Sequence, residues 1–171
     1  MMGSIAVRVL AVVCVSLSGC SESVGPDTSD LVRIVPTSPS FTLTRDYLGQ
    51  EEGELEVEVT NLNDIPLYVF GSCGSTGFRL QRKVQSAWVE VGLADSCMMG
   101  PQATDVPAGE SRLFSLGVLS KGFLGDGTYR VDLHMISWLS DWDEALKAPL
   151  HPTARLSDEF QIVVENAEVD L

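Results

Sequence analysis

The side chains able to do chemistry in this 171-residue chain are few: four cysteines, two histidines, five methionines and an acidic majority, 24 Asp and Glu against 11 Lys and Arg. A serine hydrolase needs Gly-x-Ser-x-Gly on a strand-to-helix turn, and the nearest string, Gly71-Ser72-Cys73-Gly74-Ser75, fails that pattern. His134 and His151 are the only imidazoles, so a Ser or Cys triad has little to draw on as a base. Cys73 and Cys97 lack CxxC spacing and have no nearby His, which argues against a zinc or redox pair. Thioether and imidazole ligands from Met98, Met99, Met135, His134 and His151 could hold copper, but they have no close spacing and Met135 falls on an expected core face. Asp141, Asp143 and Glu144 could hold calcium, yet the EF-hand spacing and its glycine are missing. The expectation is therefore no catalytic residue, no metal site and no cofactor. Trp138 and Trp142 flank Asp141, and these three residues are the candidate binding group: aromatic faces for a sugar or peptide, with a carboxylate between them. The competing reading is that such tryptophans cap the end of a core.

Those residues have to be positioned by strands. Glu54-Leu55-Glu56-Val57-Glu58-Val59-Thr60 alternates without a break, which puts three apolar side chains on one face and three carboxylates on the other. Glutamates 51, 52, 54, 56 and 58 accordingly read as a solvated acidic strip able to meet a basic partner. Further strands are predicted at Phe41 to Thr44, Pro66 to Phe70, Phe78 to Val84, Ala87 to Val91, Arg112 to Leu116, Thr128 to about Ser137, and Phe160 to Val164. Leu31 to Val35 reads as a short edge strand, and Trp88 as a core or half-buried residue of its strand. Within the Thr128 strand, Tyr129, Val131, Leu133 and Met135 should face the core, and Arg130, Asp132 and His134 the solvent. Only Asp141 to Ala148 looks helical. Short, evenly spaced strands with turn residues between them predict an all-β fold, an immunoglobulin-like antiparallel β-sandwich of about 7–9 strands.

The first residues carry an address. An apolar run from Val9 to Leu17 follows Arg8, too short to span a bilayer, and Leu17-Ser18-Gly19-Cys20 resembles the lipobox of bacterial lipoproteins. The resemblance implies a signal peptide over residues 1–19 that takes Cys14 with it. It also implies acylation (palmitate among the acyl groups) of Cys20 and a membrane anchor through that lipid. Cys73 and Cys97 then remain as one disulfide in an oxidising compartment, closing a loop that the chain-entropy model values at roughly 3–4 kcal/mol. Residues 20–38, polar and punctuated by Pro26 and Pro36, read as a lipidated flexible tether, and 39–171 as the sandwich domain. Ser21 follows the acylated position, which favours an outer-membrane destination if the source has two membranes.

Four landmarks then occur in order: Asn61-Leu62-Asn63-Asp64-Ile65-Pro66, Pro107-Ala108-Gly109-Glu110-Ser111, Gly127-Thr128-Tyr129-Arg130-Val131, and Ser157-Asp158-Glu159-Phe160-Gln161-Ile162-Val163. Together they resemble the turn and strand signatures of bacterial envelope domains with an immunoglobulin-like or fibronectin-III-like sandwich, and are similar to BsuPI-type proteinase-inhibitor domains. The lipobox, the even strand spacing and the lack of a catalytic set predict a cell-envelope, non-enzymatic binding or assembly module. Proteinase inhibition, which the BsuPI-like turns imply, and copper or calcium binding by the residues named above are the alternatives. A formal charge of −13 disfavours nucleic acid and anionic headgroups, leaving the lipid and an envelope protein as the expected partners.

Overall fold

The computed structural model describes residues 29–72, 75–91, 102–120 and 124–167. Its strands in chain order are β1 (Val32–Pro36), β2 (Ser40–Arg45), β3 (Glu51–Asn61), β4 (Leu67–Ser72), β5 (Ser75–Thr76), β6 (Arg79–Val84), β7 (Ala87–Val91), β8 (Gln102–Val106), β9 (Ser111–Ser120), β10 (Gly127–Asp132), β11 (Ile136–Ser137) and β12 (Phe160–Asn166). One helix, α1 (Trp142–Lys147), and 3-10 turns at Ser29–Leu31 and Pro152–Arg155 complete the described elements.

β3 is the spine because its alternation is the strictest in the chain. Leu55, Val57 and Val59 are fully buried, while Glu52, Glu54, Glu56 and Glu58 are exposed. β9 runs antiparallel along the whole strand, from Glu51↔Ser120 to Thr60↔Ser111, and β1 takes part of the other edge, from Val32↔Asn61 to Pro36↔Val57. In the facing layer β12, β10, β6 and β7 are successive antiparallel neighbours. β2 joins β12 in parallel, Ser40↔Gln161 to Arg45↔Asn166, and touches β3 only at Thr44↔Glu52 and Arg45↔Glu51. The chain thus crosses between layers over Thr37 to Pro39, so the expected antiparallel sandwich contains one parallel pair. Through the short β2–β3 contact β1-β3-β2-β12-β10-β6-β7, with β9 beside β3, is one hydrogen-bonded sheet that forms two layers, β1-β3-β9 and β2-β12-β10-β6-β7. β4 pairs with β5, β8 and β11 in a second sheet. An opening strand divided between the layers fits an immunoglobulin-like sandwich. Tyr129 supplies a second mark of that fold: its Oη, at the start of β10, donates to the carbonyls of Leu124 (2.6 Å) and Gly125 (2.8 Å) a few residues upstream.

Both layers feed one core. Leu55, Val57, Val59, Leu116 and Val118 come from one side, and Leu43, Leu80, Val131, Phe160 and Ile162 from the other. Each such burial is worth roughly 1.5–3 kcal/mol against exposure. β2 approaches β3 closely because position 53 is glycine: a Cβ there would lie 2.6 Å from Leu43 Cδ2. The Asn61 and Pro107 landmarks meet in space. Asn61 Nδ2 donates to the carbonyls of Ile65 (2.8 Å) and Val106 (2.9 Å), and the Asn61 amide donates to the Glu110 carbonyl (2.9 Å).

Four sequence expectations are corrected. The sandwich starts earlier than residue 39, because Val32 and Ile34 of β1 are buried against it. Glu51 is not part of a solvated strip: it shares the inward parity of Leu55 and is fully buried, where Arg45 pairs with it and the Leu124 amide donates to its Oε2 at 2.6 Å. The strand from Thr128 to Ser137 is interrupted, with β10 pairing β6 and β11 pairing β4. Alternation fails at the interruption. Asp132 is only 5% exposed because Arg155 to Ser157 cover its side of the sheet, the Leu133 amide donating to the Arg155 carbonyl and the Ser157 amide to the Val131 carbonyl, and Met135 is only half-buried.

Candidate functional site

Cys20, Cys73 and Cys97 lie outside the described residues, as do Met98 and Met99. The candidate binding group falls in the long connection between β10 and β12, where each member has a structural partner. Asp141 is the N-cap of α1, its Oδ1 accepting the Glu144 amide at 3.1 Å, which fits a carboxylate at the positive end of a helix. Trp142 sets its ring edge-to-face against Phe70 of β4, centroids 5.4 Å apart at 65°. Trp138 is half-buried against the core directly after β11. The three residues are close in the chain, but as built they brace one end of the sandwich: a cap, a ring contact and a core contact.

The other chemistry-bearing residues are similarly engaged. His151 caps the 3-10 turn after it, its Nδ1 lying 2.8 Å from Thr153 Oγ1. Asp143 and Glu144 sit in the exposed first turn of α1, and among the described residues no three His, Cys, Asp or Glu side chains form a group suited to a metal.

Sequence reasoning missed a cluster at the end of β10. Arg155 Nε stands 3.5 Å from Asp132 Oδ1, and both groups are largely buried. Among the described residues neither of those two atoms completes a hydrogen bond, and Nδ1 of the half-buried His134 has no hydrogen-bond partner there either. Burial pushes the Asp132 carboxyl above its ordinary range, with Arg155 opposing the shift. Burial, and then the charge of Arg79, hold His134 below the usual imidazole value. The cluster arises because the 3-10 turn Pro152–Arg155, far along the chain, folds back over β10; nothing local to Asp132 signals it.

Two outer faces remain. On the β3–β9 face Glu52, Glu54, Glu56 and Glu58 stand in a row, Glu54 accepting from Ser115 Oγ, and none of the four meets a cation among the described residues. On the β6–β7–β10 face Trp88 is half-buried beneath Arg130, whose guanidinium is 4.3 Å from the ring centroid, with Lys83 Nζ at 5.4 Å. Gln81 Oε1 accepts from Arg130 Nε at 2.7 Å, and Lys83 pairs with Glu159 at 2.8 Å.

These surfaces on this strand order define an all-β, immunoglobulin-like sandwich. No family model matches the chain, and no curated protein matches it. Among solved structures it is similar to PapD-like domain 7 of human CEP192, at 16% identity over 91% of this chain and 98% of that one, with a TM-score of 0.33. It is also similar to ycdA, a lipoprotein candidate of Bacillus subtilis, at 16% identity and a TM-score of 0.43, over 79% of this chain and only 37% of the other. A CARDB domain from Pyrococcus furiosus, solved in complex with di-metal ions, matches at 11% identity over 78% of this chain and 87% of that one, TM-score 0.34. Likenesses of this size say nothing about activity, and the strand order defines the fold without them. No helix among the described residues is long and apolar enough to cross a membrane.

Proposed function

We propose that this chain is a lipid-anchored, extracytoplasmic β-sandwich that serves the cell envelope as a non-enzymatic binding or assembly module. The observation that carries the reading is the division of labour among its polar groups. Those that could do chemistry hold the fold together, as Asp141, His151 and Glu51 do, while the row Glu52, Glu54, Glu56 and Glu58 on the β3–β9 face meets no cation among the described residues. Alternate residues on a strand are about 6.6 Å apart, so that row offers a ladder of negative charge to a protein partner with basic side chains. The anchor rests on Leu17-Ser18-Gly19-Cys20, and the charge of −13 argues for a protein partner over nucleic acid.

The test is crosslinking of the full-length protein in its own envelope, read by mass spectrometry, beside Cys20→Ala and a Glu54/Glu56/Glu58→Gln variant. A recurrent partner lost from both variants supports the reading. A Cys20→Ala protein still processed normally and membrane-bound removes the lipid anchor, and a partner retained by the glutamine variant removes the β3–β9 face.

A further inference from the structure

The β6–β7 hairpin ends its layer, and β7 leaves an edge unusually poor in protection. Val84 and Ala87 flank a two-residue turn, Gln85–Ser86, with Gln85 at φ 57°. In a two-residue hairpin the pair beside the turn exchanges main-chain hydrogen bonds and the exchange then alternates. Val84/Ala87, Arg82/Val89 and Leu80/Val91 are therefore the bonded pairs. The N–H and C=O of Trp88 and Glu90 consequently point away from β6, and among the described residues no strand pairs with that side. Native edges are blunted with lysine, proline or bulges. Ala87-Trp88-Val89-Glu90-Val91 has no lysine or proline, and its one charge is Glu90.

We propose that this edge pairs with the same edge of a second copy of the chain, antiparallel, about a two-fold axis through Val89. That register is self-complementary in hydrogen bonds and in charge. Trp88 of each copy stands opposite Glu90 of the other, and these outward-pointing main-chain groups exchange their bonds. Val89 meets Val89 in the close, non-bonded pair on the axis. Trp88 already lies under Arg130 and beside Lys83, so the incoming carboxylate arrives next to two cations. Its existing partner is loose: Glu90 is 3.5 Å from Arg79, with both side chains about half exposed. On the opposite, core-facing side of the hairpin Val84 and Val89 remain 49% and 48% exposed, an apolar overhang that a second copy would cover. A homotypic pair thus satisfies the bare edge, brings Glu90 beside Arg130, whose guanidinium donates to the neutral Gln81, and covers the valines with one contact.

Sedimentation equilibrium of the purified full-length chain tests this, from about 1 μM to about 1 mM, which covers dissociation constants across that range. The expected result is a reversible monomer–dimer equilibrium in wild type. It should weaken at least tenfold in Val89→Lys, which sets like charges together on the axis, and in Glu90→Lys, which reverses the complementary charge. Near-UV circular dichroism checks that both variants fold. Independently, Val89→Cys should form an intermolecular disulfide under mild oxidation, since its Cβ faces its own copy at about 4.5–5.5 Å. Ser115→Cys on the β3–β9 face should not. A wild type that stays monomeric throughout, or a dimer untouched by Val89→Lys with no crosslink through Val89→Cys, overturns the proposal.

Discussion

Tyr129 does two jobs that can be separated by removing one oxygen. Its ring is fully buried between the layers, and its hydroxyl donates to two carbonyls of the loop preceding β10. Tyr129→Phe keeps the ring and deletes those bonds, so it should cost about 1–2 kcal/mol and lower the melting temperature by a few degrees. Burial pushes its phenol up to about 12, with the nearby Arg82 pulling the other way. A folded value above the ordinary value near 10 means that its contribution is intact below pH ~10 and is lost as pH rises towards 12. Alkaline unfolding should therefore lose one component in Tyr129→Phe; an unchanged alkaline profile would sink this account. His134 works at the other end of the scale. Its folded value is depressed by burial and then by Arg79, so the stability it contributes is present above pH ~6.5 and is lost as pH falls through the folded value. Asp132, whose value is raised, has the opposite sign: its contribution is present below the ordinary carboxylate range and is lost as pH rises through the folded value. Melting temperature against pH should consequently fall less below pH ~6.5 in His134→Gln than in wild type, and identical slopes would show that the imidazole is not the titrating group.

At the scale of elements, α1 is short and owes its place to its ends. Asp141 caps it and Trp142, its first residue, leans on Phe70, so Asp141→Ala should cost about 1 kcal/mol and loosen the Trp142 ring. The measurement is tryptophan emission together with thermal melting. A red shift with a small loss of stability is expected, whereas unchanged emission would mean that the cap does not hold the ring. The contrast between α1 and the strands also explains what the sequence made legible. β3 could be read almost to its ends because alternation over many residues admits only one geometry, and the same parity, extended by two steps, would have placed Glu51 inside. The helix at Trp142–Lys147 was legible from its local pattern, but Phe70, the partner of Trp142, belongs to a strand far earlier in the chain. β8 was missed because of its five residues only Val106 is buried, which leaves no apolar period to detect. The parallel pairing of β2 with β12 and the folding of Pro152–Arg155 over Asp132 are long-range events, set by how the two layers close and not by either segment's own residues. The candidate binding residues were recognisable by type for the same reason that their roles were not: side-chain chemistry is local, and the contacts that commit it are tertiary.

For the whole molecule the governing quantity is charge. A net −13 with a sequence pI near 4.3 means that folding gathers many carboxylates that the unfolded chain keeps apart. The row Glu52, Glu54, Glu56 and Glu58 is the densest case in the described structure's β3 strand, because alternation forces every second residue to the same face. Neighbours in the row are about 6.6 Å apart, well inside the Debye length of about 30 Å at 0.01 M salt and still inside about 10 Å at 0.1 M. Their repulsion is therefore felt at low ionic strength and is progressively screened as salt is added. The melting temperature should rise with sodium chloride from about 0.01 M to about 0.5 M, at constant pH near neutrality. Glu54/Glu56/Glu58→Gln, which keeps the shape of each side chain and the acceptor that Ser115 uses, should melt higher than wild type at the lowest salt and show a shallower rise. Equal slopes in the two proteins would place the salt response elsewhere on the surface. A lower melting point for the glutamine variant at low salt would mean that the row is compensated in the folded state, which would also remove it as a free surface for a cationic partner.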